Sequence, residues 1–459
     1  MKNKLKGLSI TLAAIMLLGA VSGCGKNEEK SDVATVTVWT PNSHSQDVVT
    51  AYVNDWNNSV GKEKGIKIEY VVQGGDSFDK TIELALQNGT AADIIGGGNM
   101  TKLADNGNIL ALDDIPGGED FIKPYKEAGK LEESRGMHKD KTYAVPCGVA
   151  PQGMVYNKDL FKKAGIVDEN GEAKPPKTWS EVREYARVLT DKSKNQYGII
   201  APMKWGGWFG SDINNPAMSL CGFIGYNPAT GQYDYSAYKK PMEAWLGMKE
   251  DGSIYPGAES LDNDSARAMF AEGNIGMKFA FNFDVGVLND QFPAKCDWGV
   301  CAYPINEDGT GYKQRMDYGW SSFINAASKV EPEKLLEVVK MFSSTEYEKK
   351  MFEECVAMPY NTEIIEMANV SKTKKGWAEF AKLANISTVQ PRNPQMDMSG
   401  MEDENTIFMN YIWTGKISVD DGIKKMQENA SKAVENYYST HTDESADAFK
   451  VEGWTPVMQ

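Results

Sequence analysis

The side chains that could act as nucleophiles, bases or metal ligands are few and scattered in this sequence. Histidine occurs at His44, His138 and His441, and the sequence contains no metalloprotease, serine-hydrolase or paired-cysteine redox motif. Cys296 and Cys301 have no nearby histidine or second cysteine pair, so we expect no metal site and no cofactor. The 64 aspartate and glutamate residues include close pairs, which keeps a glycosidase as an alternative. The pattern nevertheless favours a protein that is not an enzyme.

Aromatic side chains offer a different chemistry, the binding of a ring-shaped ligand. Trp205, Trp208 and Phe209 lie among glycines in residues 203–209 and follow neither a helical nor a strand period. A large ring on a glycine-flanked turn can stack against the apolar C–H face of a sugar. We therefore predict that Trp205 and Trp208 stack on a ligand, with packing against the protein as the alternative for each ring.

Strands that alternate with helices near the N-terminus predict where polar ligand contacts would gather. Residues 33–39 and 66–72 have the strand period, residues 45–58 have the helical period, and residues 93–95 form a short apolar run. This order predicts a mainly parallel sheet flanked by helices, with ligands at the carboxyl ends of its strands. The loops at 40–45 and 96–100 are therefore the candidate walls of a site. We predict contacts from Trp39, Asn42, Ser43, His44 and Asn99.

Three alternatives accompany that prediction. His44 could instead be an exposed histidine on a turn. Trp39 could instead face the core of its own sheet. The three glycines at 96–98 could form a phosphate cradle, but they lack the spacing and the lysine of a P-loop.

The stretch from 141 to 166 connects two short predicted strands to a helix. The strands cover 143–149 and 154–156, and prolines and glycines interrupt the pattern between them. Asn157 is a good N-cap for a helix over 158–164 that ends before Gly165. A strand that is interrupted and then resumed suits a crossing between two lobes. Further on, Thr178 and Glu181 form a capping box that predicts the start of the next helix.

The same stretch carries a resemblance to a known family. YNKDLFKKAGI at 156–166, followed by PPKTWSEV at 175–182, resembles the extracellular solute-binding proteins of carbohydrate ABC transporters, the maltodextrin-binding-protein-like family one. GTAADIIGGG at 89–98 and LADNGNILALDDI at 103–115 are similar to that family's third strand and the helix and turn after it. Maltodextrin binders have an aromatic residue on the loop after this strand. The present chain has glycine there instead, at or beside Gly97.

The resemblance implies a two-lobed α/β fold of the type II periplasmic-binding-protein class. Each lobe would be a mainly parallel sheet flanked by helices, and hinge crossings would join the two lobes. We expect lobe I to comprise residues 33–149 and 322–366, and lobe II to comprise residues 150–321 and 367–459.

The resemblance also indicates site residues later in the chain. Residues 270–277 are similar to a family strand that ends near Phe281 and Asn282. Residues 318–328 resemble the second inter-lobe crossing and contain Trp320, and residues 393–396 resemble a loop of the binding cleft. We predict stacking by Phe281 and Trp320 and hydrogen bonding by Asn282 and Asn393.

The N-terminal segment predicts export and a lipid anchor. Lys2, Lys4 and Lys6 precede an apolar run over 8–21, which is typical of a secretory signal over residues 1–23. The end of this segment matches the lipobox of bacterial lipoproteins, so we expect Cys24 to be lipidated, with residues 24–32 as a tether. The alternative is an ordinary cleavage site with an incidental cysteine. The expected location is the extracellular face of the cell membrane.

Composition and resemblance together predict a receptor. A net charge of −15 argues against nucleic acid and against a polyanionic ligand. The resemblance implies a monomer that captures a carbohydrate, an oligosaccharide, and passes it to the permease subunits of an ABC importer. The alternatives are a lipid-anchored glycan-degrading enzyme and a binding protein for a non-sugar solute such as glycerol phosphate. A phosphate would require several cations in the cleft loops, and those loops contain only Lys204.

Overall fold

The computed structural model describes residues 33–42, 45–73, 78–442 and 445–459. The predicted signal, Cys24 and the tether lie outside these residues, and so do Ser43 and His44 of the first candidate loop. Those assignments stay predictions. In the part of the chain that is described, no helix reaches the combination of length and apolarity that a bilayer demands.

The secondary structure alternates strands and helices along most of the chain. The strands, in chain order, are β1 (Ala34–Thr40), β2 (Ile66–Val72), β3 (Ile94–Ile95), β4 (Glu132–Glu133), β5 (Gly136–His138), β6 (Lys141–Thr142), β7 (Pro146–Asn157), β8 (Tyr197–Ile199), β9 (Tyr226–Asn227), β10 (Gln232–Tyr233), β11 (Ile275–Phe281), β12 (Trp298–Cys301), β13 (Gln314–Trp320), β14 (Phe323–Ile324) and β15 (Ser387–Thr388). The α-helices are α1 (Gln46–Asn58), α2 (Val60–Lys64), α3 (Phe78–Gln87), α4 (Met100–Asp105), α5 (Gly118–Glu127), α6 (Lys158–Lys163), α7 (Trp179–Leu189), α8 (Asn215–Cys221), α9 (Lys239–Asp251), α10 (Asn263–Ala271), α11 (Asp284–Gly286), α12 (Pro332–Phe342), α13 (Thr345–Glu353), α14 (Glu363–Met367), α15 (Trp377–Asn385), α16 (Glu404–Ile407) and α17 (Val419–Thr440). Short π-helical turns occur at Gly210–Asn214, Val287–Gln291 and Phe408–Ile412.

Local capping signals position the helices as the sequence predicts. The Asn157 side chain accepts a hydrogen bond from the Leu160 amide (3.1 Å) at the start of α6, and Gly165 follows that helix with φ +74°. At the start of α7, Thr178 accepts from the Glu181 amide (3.3 Å), and the Glu181 carboxylate accepts from the Lys177 amide (2.6 Å). These bonds satisfy amide groups that the first turn of a helix leaves without partners.

The first sheet has the order β14-β3-β1-β2. Strand β1 is parallel to both β2 and β3, and β14 runs antiparallel to β3. Val36 and Val38 of β1 belong to the same buried hydrophobic core as Leu335 and Leu336 of helix α12. This sheet is mainly parallel, as the alternation of strands and helices predicts.

The second sheet has the order β15-β13-β7-β11-β8, and β12 also pairs with β7. Its pairings β7–β11, β7–β12 and β7–β13 are antiparallel, whereas β11–β8 and β13–β15 are parallel. The expectation of a mainly parallel second sheet is therefore wrong. Periodicity identifies a strand, but the direction of each pairing depends on how distant segments return to β7.

Strand β7 is also continuous, contrary to the prediction of two shorter strands. Pro146 is its first residue, where a missing N–H is tolerated, and Pro151 lies where the partner changes from β13 to β12. Gly153 allows a close approach, because a Cβ atom there would lie 2.3 Å from the Cys301 carbonyl oxygen. These residues therefore allow close packing and a change of partner strand within β7, and they do not form a turn.

The chain crosses between the two sheets beside the start of β7. Strand β13 ends in the second sheet at Trp320, and β14 begins in the first sheet at Phe323. Between them, the Ser321 amide donates to the Val145 carbonyl (2.8 Å), and the Val145 amide donates to Ser321 Oγ (3.0 Å). A third segment joins this region, because the Val149 amide donates to the Met358 carbonyl (3.0 Å). The exact lobe boundaries stay a prediction.

We predict that Ser321→Ala destabilises the protein by about 1–3 kcal/mol, because the buried Val145 amide would lose its acceptor. Urea denaturation, followed by far-UV circular dichroism, measures the free energy of unfolding. Ser322→Ala is the matched control at the neighbouring, half-buried position. Equal stability of the two variants would contradict a structural role for the Val145–Ser321 pair.

Candidate functional site

A cavity of about 440 Å³ opens beside the second sheet. We call it the Trp205 cavity. Strands β7, β11 and β13 contribute Gln152, Phe281, Arg315 and Asp317 to its walls, and the π-helical turn at Gly210–Asn214 contributes Ser211 and Asn214. The remaining lining residues include Trp205, Asn215, Tyr233, Tyr235, Tyr238, Gln390, Asn393, Met396 and Glu404.

Two aromatic rings form one corner of the Trp205 cavity. Trp205 and Phe281 meet edge to face, with ring centroids 6.4 Å apart and an interplanar angle of 86°. Gly207 lies beneath the indole, because a Cβ atom there would be 2.4 Å from the Trp205 ring. Phe281 in turn stacks on Phe283 at 4.9 Å. The corner therefore presents apolar faces whose orientation is set by packing.

Three tyrosines complete the aromatic wall, and the sequence analysis did not identify them. Tyr233, Tyr235 and Tyr238 are largely buried. The Tyr235 hydroxyl donates to the Glu404 carboxylate at 2.6 Å. Burial raises the pKa of each of these hydroxyls, so each stays protonated and can donate. Three tyrosines within six residues, YDYSAY at 233–238, were the available signal.

A network of amides and charges adjoins the aromatic corner, because Gln152 of β7 is the cross-strand partner of Phe281 of β11. Gln152 donates to Asp317 (3.1 Å) and accepts from Asn215 (2.7 Å) and from the Tyr303 hydroxyl (3.0 Å). Arg315 is the one cationic residue among those that line this cavity. Its guanidinium donates to Asp317 at 2.6 Å and also to the Gln390 side chain. The positive charge is thus already neutralised, and the Glu404 carboxylate adds a negative one.

An ionisable group is buried directly behind the cavity wall. Asp212 lies in the π-helical turn, next to Ser211, whose hydroxyl donates to it. Its Oδ2 is buried without a hydrogen-bond partner, and burial raises the pKa of its carboxyl to about 7. The nearby Lys278 is also buried, and burial lowers the pKa of its ammonium. Perturbed groups and π-helical turns of this kind occur often beside binding sites.

A second cavity, of about 590 Å³, lies by the first sheet and the crossing. We call it the Trp320 cavity. It is lined by residues 96–101, Trp320, Ser321 and Gln395, among others. Gln390, Asn393 and Met396 line the Trp205 cavity, so the segment 390–396 contributes to both cavities. The Asn99 side chain accepts from the Lys102 amide (3.0 Å) and so caps α4.

The structure divides the predicted site residues among several environments. Trp205, Phe281 and Asn393 line the Trp205 cavity, and Asn99 and Trp320 line the Trp320 cavity. Asn42 is exposed. Trp39 is half-buried and packs against Phe78 and Ile82, which fits the alternative that this ring faces the core of its own sheet. Their roles in ligand binding stay predictions.

Two residues that we predict to contact the ligand are buried in this structure. The Trp208 ring is 0% exposed and packs against Trp245 (5.8 Å) and Phe408 (5.7 Å). The neighbouring glycines suggested a surface turn, but the chain turns inward and buries this indole in the core. Asn282 is also buried, and its Oδ1 is enclosed without a partner.

Comparison with known proteins identifies the family. The family described as bacterial extracellular solute-binding proteins matches residues 42–349, and the chain belongs to this family. A relative from Brucella abortus, named only as a binding protein, is 25% identical over 341 residues, which cover 71% of this chain and 75% of the relative. The sn-glycerol-3-phosphate-binding periplasmic protein of the same organism is 26% identical over 271 residues, covering 54% of this chain and 58% of that protein.

Solved structures confirm the predicted fold class. A maltose/maltodextrin-binding domain from Bdellovibrio bacteriovorus, bound to maltotriose, matches with a TM-score of 0.61 and 17% identity, over 88% of this chain and 100% of that one. At this identity the similarity establishes the shared two-lobed α/β fold.

The buried Asp212 generates a prediction about pH. Its pKa is raised from 3.8 to about 7 on folding, so the folded state retains a proton that the unfolded chain loses between these values. The contribution of this carboxyl to stability should therefore fall as pH rises from about 4 to about 7, by up to about 1.4 kcal/mol per pH unit. We predict that Asp212→Asn flattens this dependence in denaturation curves measured across that range.

A second buried carboxyl also contributes to the dependence of stability on pH. Burial also raises the pKa of Glu348 to about 7, so Asp212→Asn should reduce the slope without removing it. Glu348→Gln is the parallel variant, and Asp447→Asn is an exposed control. An unchanged slope in Asp212→Asn would show that this carboxyl titrates normally.

Proposed function

We propose that this protein captures a neutral sugar, an oligosaccharide, in the Trp205 cavity and delivers it to an ABC importer. The volume of about 440 Å³ lies in the range of small-molecule sites. The main supporting observation is that the rings of Trp205 and Phe281 and the amides of Gln152 and Asn215 line one cavity, with Gln152 next to Phe281 in the sheet. Sugars have apolar C–H faces and polar hydroxyl edges, and this cavity presents both complements.

The two sheets supply a means of enclosing the ligand. The Trp320 cavity belongs to the first sheet and its crossing, whereas the Trp205 cavity belongs to the second sheet. A hinge movement about the paired crossings would bring the two walls toward one ligand. An oligosaccharide would then contact Trp205 on one side and Trp320 on the other. A closed form of this kind is what a permease would distinguish from the empty protein.

Electrostatics favour a neutral ligand over a phosphate. The relative that binds sn-glycerol 3-phosphate makes such a solute the main competing proposal. In the Trp205 cavity, however, Arg315 is paired with Asp317, and Glu404 adds a further carboxylate. A phosphate would lose its hydration without gaining an unpaired cation, which is unfavourable.

Family membership supports binding rather than catalysis. The family consists of solute-binding proteins, and we propose that the captured sugar is released unchanged. Asp317 and Glu404 line the same cavity, so a glycosidase activity remains the alternative to test. We further propose that Cys24 anchors the protein to the extracellular face of the membrane, where it would act as a monomer.

The test is isothermal titration with glucose, maltotriose, xylotriose and sn-glycerol 3-phosphate. We predict that at least one neutral oligosaccharide binds, and that Trp205→Ala weakens its binding at least tenfold, or about 1.4 kcal/mol, because the stacking face is removed. Phe121→Ala is the control, since Phe121 is a half-buried aromatic residue that does not line this cavity.

Three outcomes would count against the proposal. Binding of sn-glycerol 3-phosphate alone would favour the competing solute. Chromatographic detection of cleaved maltotriose or xylotriose would indicate an enzyme. Equal sugar affinity of Trp205→Ala and the native protein would show that the sugar does not bind in the Trp205 cavity.

A further inference from the structure

A third cavity, of about 620 Å³, is larger than either of the two described above. It lies between residues 129–135, the segment 388–392 and the C-terminal tail at 448–457. We call it the C-terminal cavity. It adjoins the Trp205 cavity, because Gln390 lines both.

The tail that forms one wall of the C-terminal cavity is fixed at two points. The Val451 amide donates to the Pro228 carbonyl (2.9 Å), and the Lys313 amide donates to the Val457 carbonyl (2.8 Å). Between these bonds the Trp454 ring packs edge to face on Phe223 at 6.2 Å. The tail is therefore an ordered wall that holds an indole at the cavity.

The opposite wall is also anchored. Arg135 donates from its guanidinium to the Gln390 carbonyl at 2.7 Å, which ties the segment before β5 to the segment 388–392. The same guanidinium lies 3.5 Å from Glu132. The cavity is thus bounded by two segments far apart in sequence that are held together at this point.

The charge of the C-terminal cavity is opposite to that of the protein. Lys130, Arg135, Lys313 and Arg392 line it, and Glu132 is the one acidic residue among the lining residues, although the chain as a whole carries −15. Glu132 is already close to Arg135. Within the described residues, Lys130, Lys313 and Arg392 lie farther than 4 Å from every carboxylate. Three positive charges here are therefore available to a ligand.

Aromatic contacts orient one of these cations. The Arg392 guanidinium lies 4.7 Å above the Phe449 ring, and both residues line the cavity together with Trp454. A guanidinium held against a ring keeps its N–H groups free at the edge, where they can bind a carboxylate through two bonds. Trp454 offers a face for a pyranose ring beside it.

We propose that the C-terminal cavity is a second ligand site that binds an acidic sugar, one whose ring carries a carboxylate. The carboxylate would pair with Arg392 and Lys313, and the sugar ring would lie against Trp454. The Trp205 cavity has the opposite character, with its one arginine neutralised and an additional carboxylate. The two cavities therefore select ligands of different charge, and the second site does not depend on what the Trp205 cavity binds.

Titration calorimetry with trigalacturonate as the probe tests this site. We expect one equivalent to bind, with affinity that falls at least tenfold in Arg392→Gln and in Lys313→Gln and that weakens as ionic strength rises. Trp454→Phe should retain binding, whereas Trp454→Ala should lose most of it. Lys450→Gln, on the same tail but outside the lining, is the matched control and should bind normally.

The native protein and the Trp205→Ala variant separate the two sites. Trigalacturonate affinity should be unchanged in Trp205→Ala, and maltotriose or xylotriose affinity should be unchanged in Arg392→Gln. Circular dichroism and thermal melting confirm that each variant is folded. The proposal is overturned if trigalacturonate fails to bind the native protein, if its binding is lost in Trp205→Ala but kept in Arg392→Gln, or if inorganic sulfate binds as tightly in the same cavity.

Discussion

The reciprocal hydrogen bonds between Val145 and Ser321 are the contact on which the arrangement of the two sheets depends. Both residues are buried. Ser321 lies between β13 of the second sheet and β14 of the first, and Val145 directly precedes β7. Because the two backbones are paired at the crossing, the sheets share a common reference point. Strand β7 begins immediately after this pair and is the central strand of the second sheet. The positions of Gln152, Arg315 and Phe281 therefore follow from the crossing.

The cavities on the two sides of Gln390 differ in how their charges are compensated. In the Trp205 cavity, Arg315 is held by Asp317 and by Gln390, and the remaining polar groups are amides, hydroxyls and the Glu404 carboxylate. In the C-terminal cavity, Lys130, Lys313 and Arg392 have no carboxylate partner among the described residues. Ion pairing within the protein removes a charge from ligand recognition, whereas an unpaired cation near a cavity favours an anion. The ligand charge that each cavity favours thus depends on which cationic side chains are already ion-paired within the protein, as well as on which residue types line the cavity.

The wall behind the Trp205 cavity retains buried polar groups that a stability-optimised core would not. Among the described residues, Asp212 Oδ2, Trp208 Nε1 and Asn214 Oδ1 are buried and make no hydrogen bond of normal geometry. The Trp208 indole nevertheless lies close enough to the Asp212 carboxyl to lower its pKa. Incompletely hydrogen-bonded buried groups of this kind lower stability. Their concentration at one π-helical turn beside the cavity matches the expectation that functional sites tolerate unfavourable local features.

The sequence by itself determined the family, the strands and helices of the first sheet, and the helix starts at Asn157 and Thr178. These features depend on neighbours within a few residues or on one sheet face, so their patterns are continuous in the chain. Only the tertiary structure decided that Trp205 faces a cavity while Trp208 is buried, that β7 is one strand with antiparallel partners, and that Tyr233, Tyr235 and Glu404 join the site. The reason is that burial and strand direction are set by segments a hundred or more residues away, such as Phe408 against Trp208, and a local pattern does not contain those contacts.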